Sequence, residues 1–209
     1  MRIVDNRLYT TKYYLTEAEG GSEYPIANKR LIPQFYFAIK QANIKEGMSI
    51  LDVGFGRGEI LFHTASIAEK LVGVDYSEDA VRLANNLMTL LPPEFSKKVE
   101  LICDDINNVL PKLGKFDRVF LMDVVEHMYP EQLEEMYNEL IKNHLNHGAI
   151  MIIHTPIADT EEEKHYFLPN TMQKFMHVNI NSLEEHTKYF KDVMEVERIG
   201  KRFIKAVLR

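Results

Sequence analysis

The chain has one cysteine and no tryptophan in its 209 residues. Cys103 has no second cysteine to pair with, so no internal disulfide forms and a reducing compartment is expected. No apolar run approaches the roughly 18 residues that a membrane-spanning helix needs. The opening stretch, MRIVDNRLYTTKYYLTE, interleaves charges with aromatics and lacks the apolar core of a secretion signal. A cytoplasmic protein without a membrane partner is the expectation. A basic excess is missing too: the formal net charge is -6, and Lys97-Lys98 and Lys201-Arg202 are only small basic pairs. Nucleic-acid binders neutralise phosphates with Lys and Arg, so a nucleic-acid partner is disfavoured.

What is present fits one domain with a buried core: 45% of residues are hydrophobic and 27% charged. Apolar runs at 48–53, 71–75, 99–103, 116–122 and 149–155 read as strands, and helical patterns lie between them. Ser77 is placed to cap a helix whose first turn holds Glu78 and Asp79. A second helix starts at Pro130 and carries Leu133, Met136, Tyr137, Leu140, Ile141 and Leu145 at three- and four-residue spacing, with Gly148 beyond its end. A helix is expected over 30–43. Alternation of this kind predicts an α/β, Rossmann-like, doubly wound sheet that is mostly parallel. Runs at 193–198 and 203–208, turning around Gly200, add a C-terminal antiparallel hairpin and bring the sheet to seven strands. Residues 1–29 are an aromatic-rich arm ahead of a domain over 30–209. The long stretch 156–181 reads as an irregular lid or substrate insertion.

The first strand runs into ILDVGFGRGE, with glycines at 54, 56 and 58. A strand, a glycine turn and a helix bring bare backbone close to a ligand. A dinucleotide fingerprint wants its third glycine one residue later, where this chain has Glu59, an acid near the phosphates. Asp75 ends the next strand, where one carboxylate can accept from both hydroxyls of a ribose. Asp104-Asp105 end the third, where a side chain and the adjacent backbone can read an adenine edge. A ribose acid and an adenine reader without a phosphate cradle specify a phosphate-free adenosine ligand.

In that order and spacing, ILDVGFGRGE, LVGVDYS, LICDDINNVLP and KFDRVFLMDVVEHM resemble the class I S-adenosylmethionine-dependent methyltransferases, over about residue 47 to the end of the chain. The likeness is strongest to the small methyltransferase domains that act on metabolites and glycans. The resemblance implies that Asp52, Gly54, Gly56 and Gly58 border the methionine part of the cofactor. It implies that Asp75 takes the ribose, Tyr76 packs near the adenine, Asp105 with the Ile106 backbone reads adenine, and Met122 lies beside the sulfonium. Phe55 stands where the family commonly has a small residue.

Methyl transfer needs alignment more than a conspicuous catalytic group, because the cofactor carries the electrophile. Candidates for a base or an acceptor contact are Asp123, His127 and His177, with His154 at the cleft edge and Tyr13 and Tyr14 of the arm closing over the acceptor. His127 can equally cap the turn that follows it. Asp123, Glu126, His127 and His177 together resemble the metal site of the 3′-terminal 2′-O-methyltransferases of small RNAs, which implies Mg²⁺ or Mn²⁺ holding ribose hydroxyls. This chain has Asp123 where that family has Glu, and it lacks an evident basic surface. The expected activity is therefore methyl transfer to oxygen or nitrogen of a small molecule or glycan precursor. Metal-assisted methylation of RNA or a sugar diol, and non-catalytic binding of S-adenosylmethionine, are the alternatives.

Overall fold

The computed structural model describes residues 4–18, 31–167 and 176–209. Seven strands form one sheet: β1 (Ser49–Val53), β2 (Lys70–Asp75), β3 (Val99–Cys103), β4 (Phe116–Met122), β5 (Leu145–His154), β6 (Met194–Arg198) and β7 (Phe203–Leu208). They lie in the order β3-β2-β1-β4-β5-β7-β6. The first five are parallel; β7 runs antiparallel to β5, and β6 antiparallel to β7. The predicted tail hairpin is present, with its second strand placed inside and its first at the edge.

Helices cover both faces, which is why the central strands are apolar on both sides. On one face Ile50, Phe120 and Ile152 pack with α1 (Pro33–Ala42), α2 (Glu59–Thr64) and α3 (Glu78–Met88). On the other, Leu51, Val53, Val119, Leu121 and Met151 lie in one core with α5 (Ile106–Val109) and α6 (Pro130–Asn143). A short α4 (Pro93–Ser96) precedes β3, and α7 (Glu161–Tyr166) and α8 (Leu183–Thr187) follow β5. Leu133, Met136, Tyr137 and Leu140 line the buried face of α6. Burying each such side chain contributes about 1.5–3 kcal/mol.

Three expectations shift. The helix α6 stops at Asn143, and Leu145, expected on that helix, opens β5. Gly148 falls inside the strand at φ 72, where the β4–β5 register jumps from Phe116↔Leu145 to Arg118↔Ile150. A left-handed residue there absorbs the extra length as a bulge. Secondly, α1 starts at Pro33 rather than residue 30, since the residue before a proline avoids helical geometry and Ile32 is extended. Thirdly, the described parts of the segment, residues 156–167 and 176–181, are less irregular than expected. Thr160 and Glu163 form a capping box that starts α7, and Ile157 bridges Asn181 so that the segment's ends meet. Residues 168–175, and Glu19 and Tyr24 of the arm, lie outside the described residues. Among the described residues no helix is long and apolar enough to cross a membrane.

Candidate active site

Strand order reverses between β1 and β4, and in open α/β sheets a crevice forms beyond the carboxyl ends there. A cavity of about 410 Å³ occupies that place. Its floor is the turn after β1, where Gly54, Gly56 and Gly58 all have positive φ. At Gly54 the backbone is at φ 65, and a Cβ would overlap Val124 Cγ2, so no other residue fits without moving β4's exit loop. Gly56 N–H donates to Asp75 Oδ2 at 2.9 Å, and Ser77 N–H to Asp75 Oδ1 at 2.9 Å. Each oxygen keeps a further lone pair for a ligand hydroxyl. Burial pushes the Asp75 carboxyl up to about 6, against the pull of those two amides.

Asp52 also lines the cavity and is 2% exposed, yet among the described residues nothing donates a hydrogen bond to its carboxylate. Burial, with Glu59 and Asp75 nearby, holds its proton affinity far above the usual carboxylate range. A ligand ammonium would relieve that strain. Glu59 opens α2 and pairs with Arg57 Nε at 2.6 Å, both side chains buried. The expected acid at that position is thus real, and with Asp52 and Asp75 it makes the turn hostile to a pyrophosphate.

Asp105 lines the cavity and caps α5, its Oδ1 accepting from Asn107 N–H at 2.9 Å. Ile106 is the first residue of α5, and helix starts leave such N–H groups unpaired. Asp104 is exposed and turned to Asn108 Nδ2 and to the Asp105 N–H. Tyr76 also lines the cavity, its ring centroid 5.3 Å from that of Tyr9. These positions suit an adenosine carrying an amino-acid tail: an unpaired buried acid for the ammonium, spare lone pairs for the ribose, and a carboxylate beside an amide for the base.

The other end of the cavity holds Met122, Asp123, Glu126, His127, His177 and Arg202. Asp123 follows β4 at φ 53, a conformation uncommon for a residue with a side chain. Its Oδ1 meets His154 Nδ1 at 2.8 Å and Arg202 Nη2 at 3.0 Å. Burial opposes ionisation of Asp123, but His154 and Arg202 outweigh it and hold the carboxyl below its ordinary range. His154 does not line the cavity; it backs Asp123 from β5, which corrects its expected place at the cleft edge.

Main-chain pairing seats His177: Val178 and Asn179 N–H donate to the Glu126 carbonyl at 2.8 and 3.1 Å. His127 Nδ1 lies 3.0 Å from the Met176 carbonyl, and His177 Nδ1 lies 3.4 Å from that of Phe167. A carbonyl only accepts, so each Nδ1 carries the proton and each Nε2 offers a lone pair. Burial pushes His127 down to about 4, and burial lowers His177 also. Glu126 is raised, first by burial and then by Asp123, while Thr155 Oγ donates to its Oε2. Ligand atoms of Glu126, His127 and His177 lie within 4.8 Å of one another. Of the expected metal set, only Asp123 stands apart, turned to His154 and Arg202.

Residues 4–18 of the arm fold over this cavity. Tyr9 and Tyr14 are buried against it, Tyr13 lines it, and Arg57 Nη1 donates to the Tyr14 carbonyl at 2.9 Å. Sequence reasoning missed Tyr9, Arg57, Gln132 and Arg202 as lining residues. For Arg57 a signal existed in Glu59 two residues on, the carboxylate that its buried guanidinium pairs with.

The fold is the Rossmann-like fold of the S-adenosylmethionine-dependent methyltransferases. The family profile described as a methyltransferase domain matches residues 50–148. The protein-lysine N-methyltransferase EFM4 of Saccharomyces cerevisiae is 40% identical over 63 residues, 29% of this chain and 28% of that protein. Pavine N-methyltransferase of Thalictrum flavum is 26% identical over 141 residues, 63% of this chain and 38% of that one. The chain therefore spans well under half the length of these curated relatives. The solved magnesium protoporphyrin IX methyltransferase of Synechocystis, with bound SAH, is 17% identical, covers 98% of this chain and 100% of its own, and superposes with a TM-score of 0.64. That likeness is one of fold.

Proposed function

We propose that the protein transfers the methyl group of S-adenosylmethionine to an oxygen or nitrogen of a small molecule or glycan precursor. The observation that carries this is one cavity joining the glycine turn, Asp75 and Asp105 to a polar end formed by Met122, Asp123, His127 and His177. S-adenosylmethionine supplies an electrophilic methyl on a cationic sulfur. In this reading Asp52 and the turn of Gly54, Gly56 and Gly58 hold the amino-acid tail. Asp75 holds the ribose, Tyr76, Asp105 and the Ile106 amide hold the base, and Met122 packs beside the sulfur. The acceptor sits between Asp123 and the two imidazoles, whose Nε2 lone pairs take its proton. Alignment of this kind supplies about 7–11 kcal/mol and a base about 10²–10⁴-fold in rate. Residues 4–18 border the cofactor side, and residues 156–167 and 176–181 border the acceptor side.

Nitrogen acceptors are the class named in both curated relatives. The test is methyl transfer from labelled S-adenosylmethionine to a panel of amines, phenols and sugars. Tight SAH binding with no transfer to any of them would favour a non-catalytic binding protein instead.

A second reading rests on the convergence of Glu126, His127 and His177. Two imidazole lone pairs and a carboxylate suit a divalent ion, Mn²⁺ more than Mg²⁺, which would acidify the hydroxyls of a sugar diol. A cation there would also relieve the raised proton affinity of Glu126. The net charge of -6 argues against RNA as the diol's carrier. Manganese bound by the wild type and lost in His177→Ala, read by electron paramagnetic resonance, supports this reading. Turnover that survives both chelation and His177→Ala removes it.

A further inference from the structure

Asp105 and the start of α6 meet at the base-binding end of the cavity, and the contact is made by Gln132. We infer that Gln132 sets which base the cofactor site accepts, by positioning Asp105; this rests on the adenosine reading above. Gln132 lies in the first turn of α6, is 4% exposed and lines the cavity with Asp105 and Ile106. Its Oε1 accepts from Tyr129 N–H at 3.3 Å, and its Nε2 donates to Asp105 Oδ2 at 3.4 Å. A backbone N–H only donates and a carboxylate only accepts, so these two partners fix which way the amide points.

The same junction is tied a second time. Asn107 Nδ2 donates to the Gln132 carbonyl at 3.1 Å, while Asn107 N–H holds Asp105 Oδ1. The carboxylate is therefore held at both oxygens, and a lone pair of Oδ2 remains for the ligand. An adenine offers an amino hydrogen to that oxygen and a bare ring nitrogen to the Ile106 N–H. A hypoxanthine offers a carbonyl oxygen and a ring N–H in those places, so it meets like against like at both. Gln132 touches neither base; it is a positioning residue.

The test uses the full chain and two probes, SAH and its deaminated analogue S-inosylhomocysteine, titrated by calorimetry. The wild type should prefer SAH by roughly ten- to a hundredfold, the range for a hydrogen bond to a charged group. Gln132→Glu keeps the side-chain length and the oxygen that Tyr129 N–H uses, but sets a carboxylate against Asp105. It should weaken SAH at least about tenfold while the analogue changes little, so the preference collapses. Gln132→Met removes the donor without adding charge, and it serves where the first variant is unfolded by circular dichroism. The same collapse is expected. An unchanged preference, or an equal loss for both ligands, overturns the inference, because a merely structural role weakens both alike. A wild type that binds neither probe overturns the cofactor reading itself, a separate result.

Discussion

Asp75 is held by two backbone amides and still keeps its proton more tightly than a free aspartate, because burial outweighs them. A carboxyl whose folded pKa lies above its unfolded value binds more proton in the folded state. Its contribution therefore destabilises the fold as pH rises from about 4 to about 6, the opposite sign to a salt-bridged acid. The shift to about 6 corresponds to about 3 kcal/mol. Ribose hydroxyls donate to the ionised form, so SAH should bind more tightly as pH climbs from about 5 to about 7 and should release a proton on binding near the lower end. Calorimetry in two buffers of different ionisation enthalpy measures both. In Asp75→Asn the affinity should fall about tenfold or more and lose this proton release. A wild-type affinity that is flat across the range would remove Asp75 from the ligand.

At the scale of elements, the arm is the piece whose role is most open to measurement. Ser77 Oγ donates to the Tyr9 carbonyl at 2.7 Å, Thr11 N–H to Asp79 Oδ2 at 2.6 Å, and Arg57 to the Tyr14 carbonyl. Three such bonds, each worth about 1 kcal/mol, hold this strap against the cavity, where it would slow a ligand's departure. Removing residues 1–18 should speed SAH dissociation about tenfold or more, with Ser77→Ala causing a smaller change in the same direction. Stopped-flow tyrosine fluorescence follows this directly, since the chain has no tryptophan. An unaltered dissociation rate would leave the arm as a cover for core surface alone. The central strands β1, β2 and β4 were legible because each is an apolar run with both faces covered, and Gly54 and Asp75 follow or end such runs. Strand β3, half-buried at the sheet edge, was legible from its alternating apolar residues ahead of Asp105. The start of β5 was not, because LNHGA puts polar residues and a glycine into a bulge. Helix α7 left a readable trace in Thr160 and Glu163, which the surrounding acids concealed. Arg202 left none: it lies 79 residues from Asp123, and only the β6–β7 turn brings it back.

Across the whole molecule, acids gather where the ligand belongs. The cavity lining includes Asp52, Glu59, Asp75, Asp105, Asp123 and Glu126, with Arg57 and Arg202 as its cations. Burial raises the proton affinity of Asp52, Glu59, Asp75 and Glu126, so the ligand-free protein is eased by acid. A ligand that brings an ammonium and hydroxyl donors acts in the opposite sense, favouring the ionised forms. At a hundred times its dissociation constant SAH should add about 2.7 kcal/mol by mass action. For a domain of this size that is a rise in Tm of about 5–10 °C. At a fixed SAH concentration the rise should be greatest near neutrality and shrink toward about pH 5, because the protonated acids no longer favour the ligand. NAD, whose pyrophosphate would lie against Asp52, Glu59 and Asp75, should give no rise at the same concentration. Thermal melts with each ligand at two pH values decide it. A rise from NAD that equals the rise from SAH would overturn a crevice shaped for an adenosine without phosphate.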